Sequence, residues 1–104
     1  MSIATTIRDQ IGHKALYMIG ARNLIDTGSG PDELGGLVFK IGRNAKKVTH
    51  VKISLDASDT YRVRFLNQHR APSYRVETLA DHEGVYFDQL HTLIESETGM
   101  ALSL

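Results

Sequence analysis

Four runs in the middle of the chain alternate apolar and polar residues with period two, and any fold this chain adopts has to accommodate them. Leu37, Phe39 and Ile41 fall on one side with Val38 and Lys40 opposite. Val51, Ile53 and Leu55 oppose His50, Lys52, Ser54 and Asp56, and Tyr61, Val63 and Phe65 oppose Arg62, Arg64 and Leu66. In the fourth run Tyr74 and Val76 oppose Arg75 and Glu77. Successive side chains of a strand point to opposite faces, so this pattern predicts strands with one covered and one open face. The connectors GRNAKK, DASD and NQHRAPS are short and rich in turn formers, which makes an antiparallel meander the economical arrangement.

Something has to cover the apolar face. Ile3, Ile7, Ile11, Ala15, Leu16, Met18 and Ile19 recur three and four apart, predicting an amphipathic helix over 3–19 capped by Ser2 or Thr5, weakened at Gly12 and stopped by Gly20. A second stripe, Tyr86, Phe87, Leu90, Leu93 and Ile94, predicts a helix over 85–98, with Asp81 or Glu83 near its start and Gly99 after its end. Residues 26–36, with four glycines and a proline, read as a flexible loop. The expected architecture is a single α+β domain over residues 1–104: a four-stranded antiparallel meander with an N-terminal and a C-terminal helix packed on one face, two layers in all.

Residue usage narrows the chemistry. The 104 residues are enough to bury a core without staples, and the absence of Cys removes disulfides, thiolate zinc sites and thiol nucleophiles. No apolar run approaches the roughly 18 residues of a membrane span, and the N-terminus does not read as a secretory signal, so a cytoplasmic protein is expected. Asp26-Thr27-Gly28-Ser29 resembles the catalytic loop of aspartic proteases, which would make the chain half of a homodimeric enzyme. Such a site needs two carboxylates about 3 Å apart sharing a proton. Here the preceding residues read as leaving a helix, Pro31, Asp32 and Glu33 follow, and no apolar-apolar-Gly segment occurs late in the chain, so the motif reads as a turn in which Asp26 bonds its own backbone. Gly28-Ser29-Gly30 lacks the strand-to-helix setting and the Gly-Lys-Ser/Thr of a phosphate loop. His13, His50, His69, His82 and His91 are scattered, and Asp81-His82-Glu83 with Asp88 and His91 reads as an acidic helix start in preference to a metal site. Serines 54, 58, 73 and 96 have no nucleophile context. No catalytic residue, cofactor or metal ligand is expected.

Charge is the feature left over. Formal net charge is zero, yet residues 40–75 hold nine Lys and Arg against Asp56 and Asp59, while residues 76–104 hold six acids and no Lys or Arg. The alternation assigns Lys40, Lys52, Arg62, Arg64 and Arg75 to the open sheet face, with His50 beside them and only Asp56 and Glu77 opposing. That is a candidate binding face for phosphates or an acidic surface. Phe39, Tyr61, Phe65 and Tyr74 fall on the covered side, leaving no aromatic platform for stacking bases. Asp88, Glu95 and Glu97 on the last helix form the alternative, acidic binding pole.

Lys47 with the stretches VTHVKISLDASDTYRVRF and EGVYFDQLHTLIESETGMALSL matches a lysine-valine strand at Lys47-Val48, an Asp59–Phe65 strand, a Gly84–Tyr86 helix start and a Thr98–Leu104 ending, with Met100 where Leu is usual. This pattern is similar to small proteins of bacteriophages and other bacterial mobile elements, and covers about the last 60 residues and, loosely, the first helix. The resemblance implies a small α+β protein of the bacterial cytoplasm and brings no activity with it. With no catalytic constellation, the expectation is a non-enzymatic phage-type protein, anti-CRISPR inhibitors being an example. It would act by stoichiometric association with a host or defence protein or ribonucleoprotein complex. Sequence-tolerant nucleic-acid binding through the basic sheet face is the alternative, and the dimeric protease a third reading. No membrane partner is expected.

Overall fold

A computed structural model of the chain describes residues 3–28, 34–56, 58–69 and 75–100. Ser2 as a cap, the Ser29–Glu33 part of the glycine-rich loop, Ser73, Tyr74 and the last four residues of the phage-like ending lie outside the described residues.

The class is α+β with an antiparallel meander, as the alternation requires, but the sheet has five strands where four were expected. Its order is β1-β2-β3-β4-β5, all neighbours antiparallel. The strands are β1 (Arg22–Asp26), β2 (Gly35–Lys40), β3 (His50–Leu55), β4 (Tyr61–Gln68) and β5 (Val76–Val85). The three central strands match the expected runs because each buries one face. Leu37, Phe39, Val51, Ile53, Tyr61, Val63 and Phe65 are all buried, and the intervening residues are mostly half-buried. Ser54 departs from the pattern. It lies on the open side yet is only 2 % exposed, beneath the close approach of Thr27 to Gly36.

Both outer strands correct the expected layout. β1 occupies residues expected to leave a helix. It holds a bulge between Arg22 and Ile25, has Asn23 at φ 55°, and all five residues are exposed, so no alternation announces it. β5 runs ten residues and takes in Asp81, His82 and Glu83, which were expected to lead into the last helix. Two register shifts against β4 break its period, and Val76, expected on the covered face, is 55 % exposed.

The helices pack on one face of the sheet into a single core. The N-terminal stripe forms two pieces, α1 (Ile3–Ile11) and α2 (His13–Met18). Gly12 takes φ 90°, a value that L side chains avoid, which ends α1 and re-aims α2. Because α1 begins at Ile3, Thr5 lies within its first turn and is no cap. The C-terminal stripe opens with a single 3-10 turn over Phe87–Gln89, where the Tyr86 amide donates to the Gln89 side chain at 2.9 Å, and continues as α3 (Leu90–Thr98). Tyr86 and Phe87, expected in the stripe, are about 60 % exposed, and Leu90 and Ile94 carry the burial. Gly99 closes α3 at φ 72°, its amide donating to the Glu95 carbonyl at 2.8 Å. The His91 Nε2 lies 2.6 Å from the Ile11 carbonyl and ties α3 to α1.

Candidate functional site

The open face of the sheet is set by register. Val38, Lys52, Arg64 and Asp81 are cross-strand neighbours in one row, Lys40, His50 and Leu66 in the next, and Ser54 and Arg62 in a third. Lys40, Lys52, Arg62 and Arg64 therefore do share the face away from the helices. Arg75 does not join them. It precedes β5, and its carbonyl accepts the His69 amide at 2.8 Å.

The face is less basic than its cations suggest, because β5 brings acids to it. Arg62 donates to Asp81 through Nε at 3.0 Å and Nη2 at 2.7 Å, a two-pronged contact, and Nη1 lies 3.7 Å from Glu83. Arg64 Nε stands 3.9 Å from the same Asp81. Hydrogen bonding from Arg62, with the charges of Arg62, Arg64 and His82 adding to it, holds the Asp81 carboxyl below the ordinary carboxylate value against its partial desolvation. A depressed folded value stabilises the fold above the unfolded pKa, about 3.9, and that contribution is lost as pH falls through the folded value. In a carboxyl NMR titration Asp81 should titrate below its free value, and Arg62→Gln should move it upward while Lys52→Gln leaves it in place. The stability lost with Arg62 should be less than about 1 kcal/mol, since both partners are about a third exposed.

Unneutralised positive charge gathers at one end of the sheet. The connection from β2 to β3, residues 41–49, borders a concavity of about 550 Å³ together with Arg22 of β1, Lys40 of β2 and Asn67 of β4. Arg43 and Lys47 of the connection line it too, and among the described residues no Asp or Glu does. Among the described residues, Arg22, Lys40, Arg43 and Lys47 form no salt bridge.

The loop that carries these cations is internally tied. Asn44 donates to the carbonyls of Gly42 at 3.0 Å and Val48 at 2.7 Å and accepts the Val48 amide at 3.1 Å. The Gly42 amide is anchored on the Ile19 carbonyl at 2.9 Å, Ile41 bonds Thr49 at 3.0 Å, and the Val48 side chain is buried. Lys47 sits at φ 61°, which turns the chain sharply beside the concavity. His50, next to Lys40, has its pKa lowered by burial and then by the lysine charge, so it adds little positive charge at neutral pH.

Of this cluster, only Lys40 was a site candidate from the sequence. Arg43 and Lys47 were legible as a basic connector, and Arg22 was hidden because β1 was not foreseen.

The acidic pole is looser. Asp88 is exposed in the 3-10 turn, Glu95 and Glu97 are partly buried on α3, and Glu97 lies 3.4 Å from His82 Nε2 across to β5 without the alignment of a hydrogen bond. His82, Glu83, Asp88, Thr92 and Ser96 border a shallow depression between β5 and α3.

The remaining motifs separate in space. Asp26 ends β1, and its Oδ1 accepts the Gly28 amide at 2.8 Å, the self-bonded turn expected of it. Strand alternation parts the Asp81-His82-Glu83 trio: Asp81 and Glu83 meet Arg62, whereas the His82 ring packs edge-on to Phe65. Among the described residues no group of three His, Asp or Glu is placed to hold a metal ion, and no helix is long and apolar enough to cross a membrane.

No protein-family model, curated protein or solved structure matches this chain. Its charge layout is therefore what a functional reading has to work from.

Proposed function

We propose that the protein is a small non-enzymatic binding module that associates stoichiometrically with a negatively charged partner through the basic end of its sheet. The observation that carries this reading is the concavity flanked by Arg22, Lys40, Arg43 and Lys47 with no carboxylate among the described residues of its lining. Gathering like charges without counter-charge costs folding free energy, which a partner of opposite sign recovers on binding. Acids are placed elsewhere: Asp81 and Glu83 of β5 meet Arg62, and Glu97 of α3 lies near His82. The phage-like pattern of the last 60 residues supports a host or defence ribonucleoprotein as the kind of partner, since such a particle offers a dense negative surface.

The test is capture from bacterial lysate at two salt concentrations by tagged parent protein, by an Arg22→Glu/Arg43→Glu/Lys47→Glu triple and by an Asp88→Lys/Glu95→Lys/Glu97→Lys triple. A salt-sensitive complex of fixed stoichiometry, lost with the first triple and kept with the second, is the expected result. Loss only with the second would move the working surface to the acidic pole, and capture by both triples as by the parent would end the charge-based reading.

A further inference from the structure

We infer that the concavity at the basic end seats phosphates of a duplex nucleic-acid backbone, read without regard to base sequence; this rests on the basic end being the working surface. The cations come from three separate places in the chain, Arg22 on β1, Lys40 on β2, and Arg43 and Lys47 on the connection, so their convergence is a product of the fold and not of one basic run. Asn44 fixes the connection through three hydrogen bonds, so Arg43 and Lys47 are held on a braced loop before any ligand arrives. Preorganised cations lose less conformational freedom when a phosphate is bound. The lining also holds Asn67, an uncharged polar group of the kind that contacts phosphate oxygens.

The class of nucleic acid follows from what the lining lacks. Single strands are bound largely by stacking bases on aromatic rings, and none of the described residues that line this concavity is aromatic. Phe39, Tyr61 and Phe65, the aromatic residues of the central strands, are buried beneath the helices. What is left is charge and hydrogen bonding to a backbone, and a duplex presents the higher density of phosphates. Lys52, one row from Lys40 on the open face, extends the positive track beyond the concavity.

The test is fluorescence anisotropy of purified protein with two 20-base-pair duplexes of unrelated sequence, the matching single strands and a polyglutamate chain as an acidic protein surrogate. The two duplexes should bind alike and more tightly than either single strand. Four phosphate contacts should weaken duplex binding on the order of 100-fold between 50 and 200 mM salt, from a slope of about −0.9 per contact. Arg43→Glu/Lys47→Glu should abolish binding with circular dichroism unchanged, because both side chains are exposed. Asn44→Ala, which keeps every charge and frees the loop, should weaken binding, and Arg62→Gln/Arg64→Gln should leave it within about threefold of the parent, since β5 already occupies those two residues. Tighter binding of single strands, or duplex binding that survives the Arg43/Lys47 reversal, overturns the inference. Polyglutamate bound without duplex overturns it while leaving the basic end as the binding surface; a parent that binds none of the probes overturns it too, and lysate capture then decides the proposed function separately.

Discussion

Phe65→Ala should destabilise the fold by about 3–5 kcal/mol and lower the melting temperature by more than about 10 °C. Phe65 is fully buried at the centre of the sheet, paired with Val51 on β3 and Ala80 on β5, with its ring edge-on to that of His82 at a centroid distance of 6.2 Å. It shares one core with Ile7 and Ile11 of α1 and Leu90 and Ile94 of α3, so truncation opens a cavity between layers that neither layer can close alone. Against a total stability of about 5–15 kcal/mol for a domain of this size, that is a large fraction. Arg64→Ala, one residue away on the opposite face, should cost less than about 1 kcal/mol, since its Nε stands 3.9 Å from Asp81 without a hydrogen bond and its side chain is 29 % exposed. Thermal or urea unfolding of the two variants checks this directly. A larger loss at Arg64 than at Phe65 would invert the strand phase, and with it the assignment of the open face.

Gly36→Ala should cost about 1–3 kcal/mol even though it adds a single methyl group on the open side of the sheet. A Cβ there would lie 2.6 Å from the Ile53 carbonyl oxygen, 2.8 Å from Thr27 Oγ1 and 3.1 Å from the Ser54 Cα. The threonine side chain can rotate away, but two of the three obstacles are backbone of β3, so the methyl must push β2 and β3 apart at Gly36↔Ser54. The damage should be local. Amide exchange should quicken at the β2–β3 pairing around Gly36 and Ser54 while β4 amides facing β5 stay protected, and an unchanged exchange pattern would mean that the strands do not approach this closely. Ser54, whose hydroxyl alternation assigns to solvent, is buried at this same close pairing with Gly36.

How far the sequence could be read depended on how each element is held. β2, β3 and β4 are buried on one face and bonded on both edges, so selection for a covered face writes an alternation into them that needs no knowledge of the fold. β1 and β5 each have one neighbour. Their residues are mostly exposed, their periods are broken by bulges, and they exist because an adjacent strand offers unpaired backbone groups. The acids of β5 resembled the charged first turn of a helix because, viewed locally, a run of acids ahead of an apolar stripe suits that role equally well.

The candidate site shows the same division. By itself the sequence determined the α+β class, the covered face of the central strands, the glycine stop after Thr98, the turn at Asp26 and the separation of basic from acidic residues along the chain. Each of these is a local property: a period, a terminator, a side chain bonding its own backbone, a count of charges. Only the tertiary structure decided which cations are left uncompensated. Arg62 and Asp81 are nineteen residues apart and meet because β4 pairs β5 in one particular register, while Arg22 and Arg43 line one concavity because an edge strand without sequence periodicity docks beside β2. Pairing between strands brings distant charges together, and its register is fixed by burial over the whole sheet, so charge order along the chain could announce two poles but not which residues would form them.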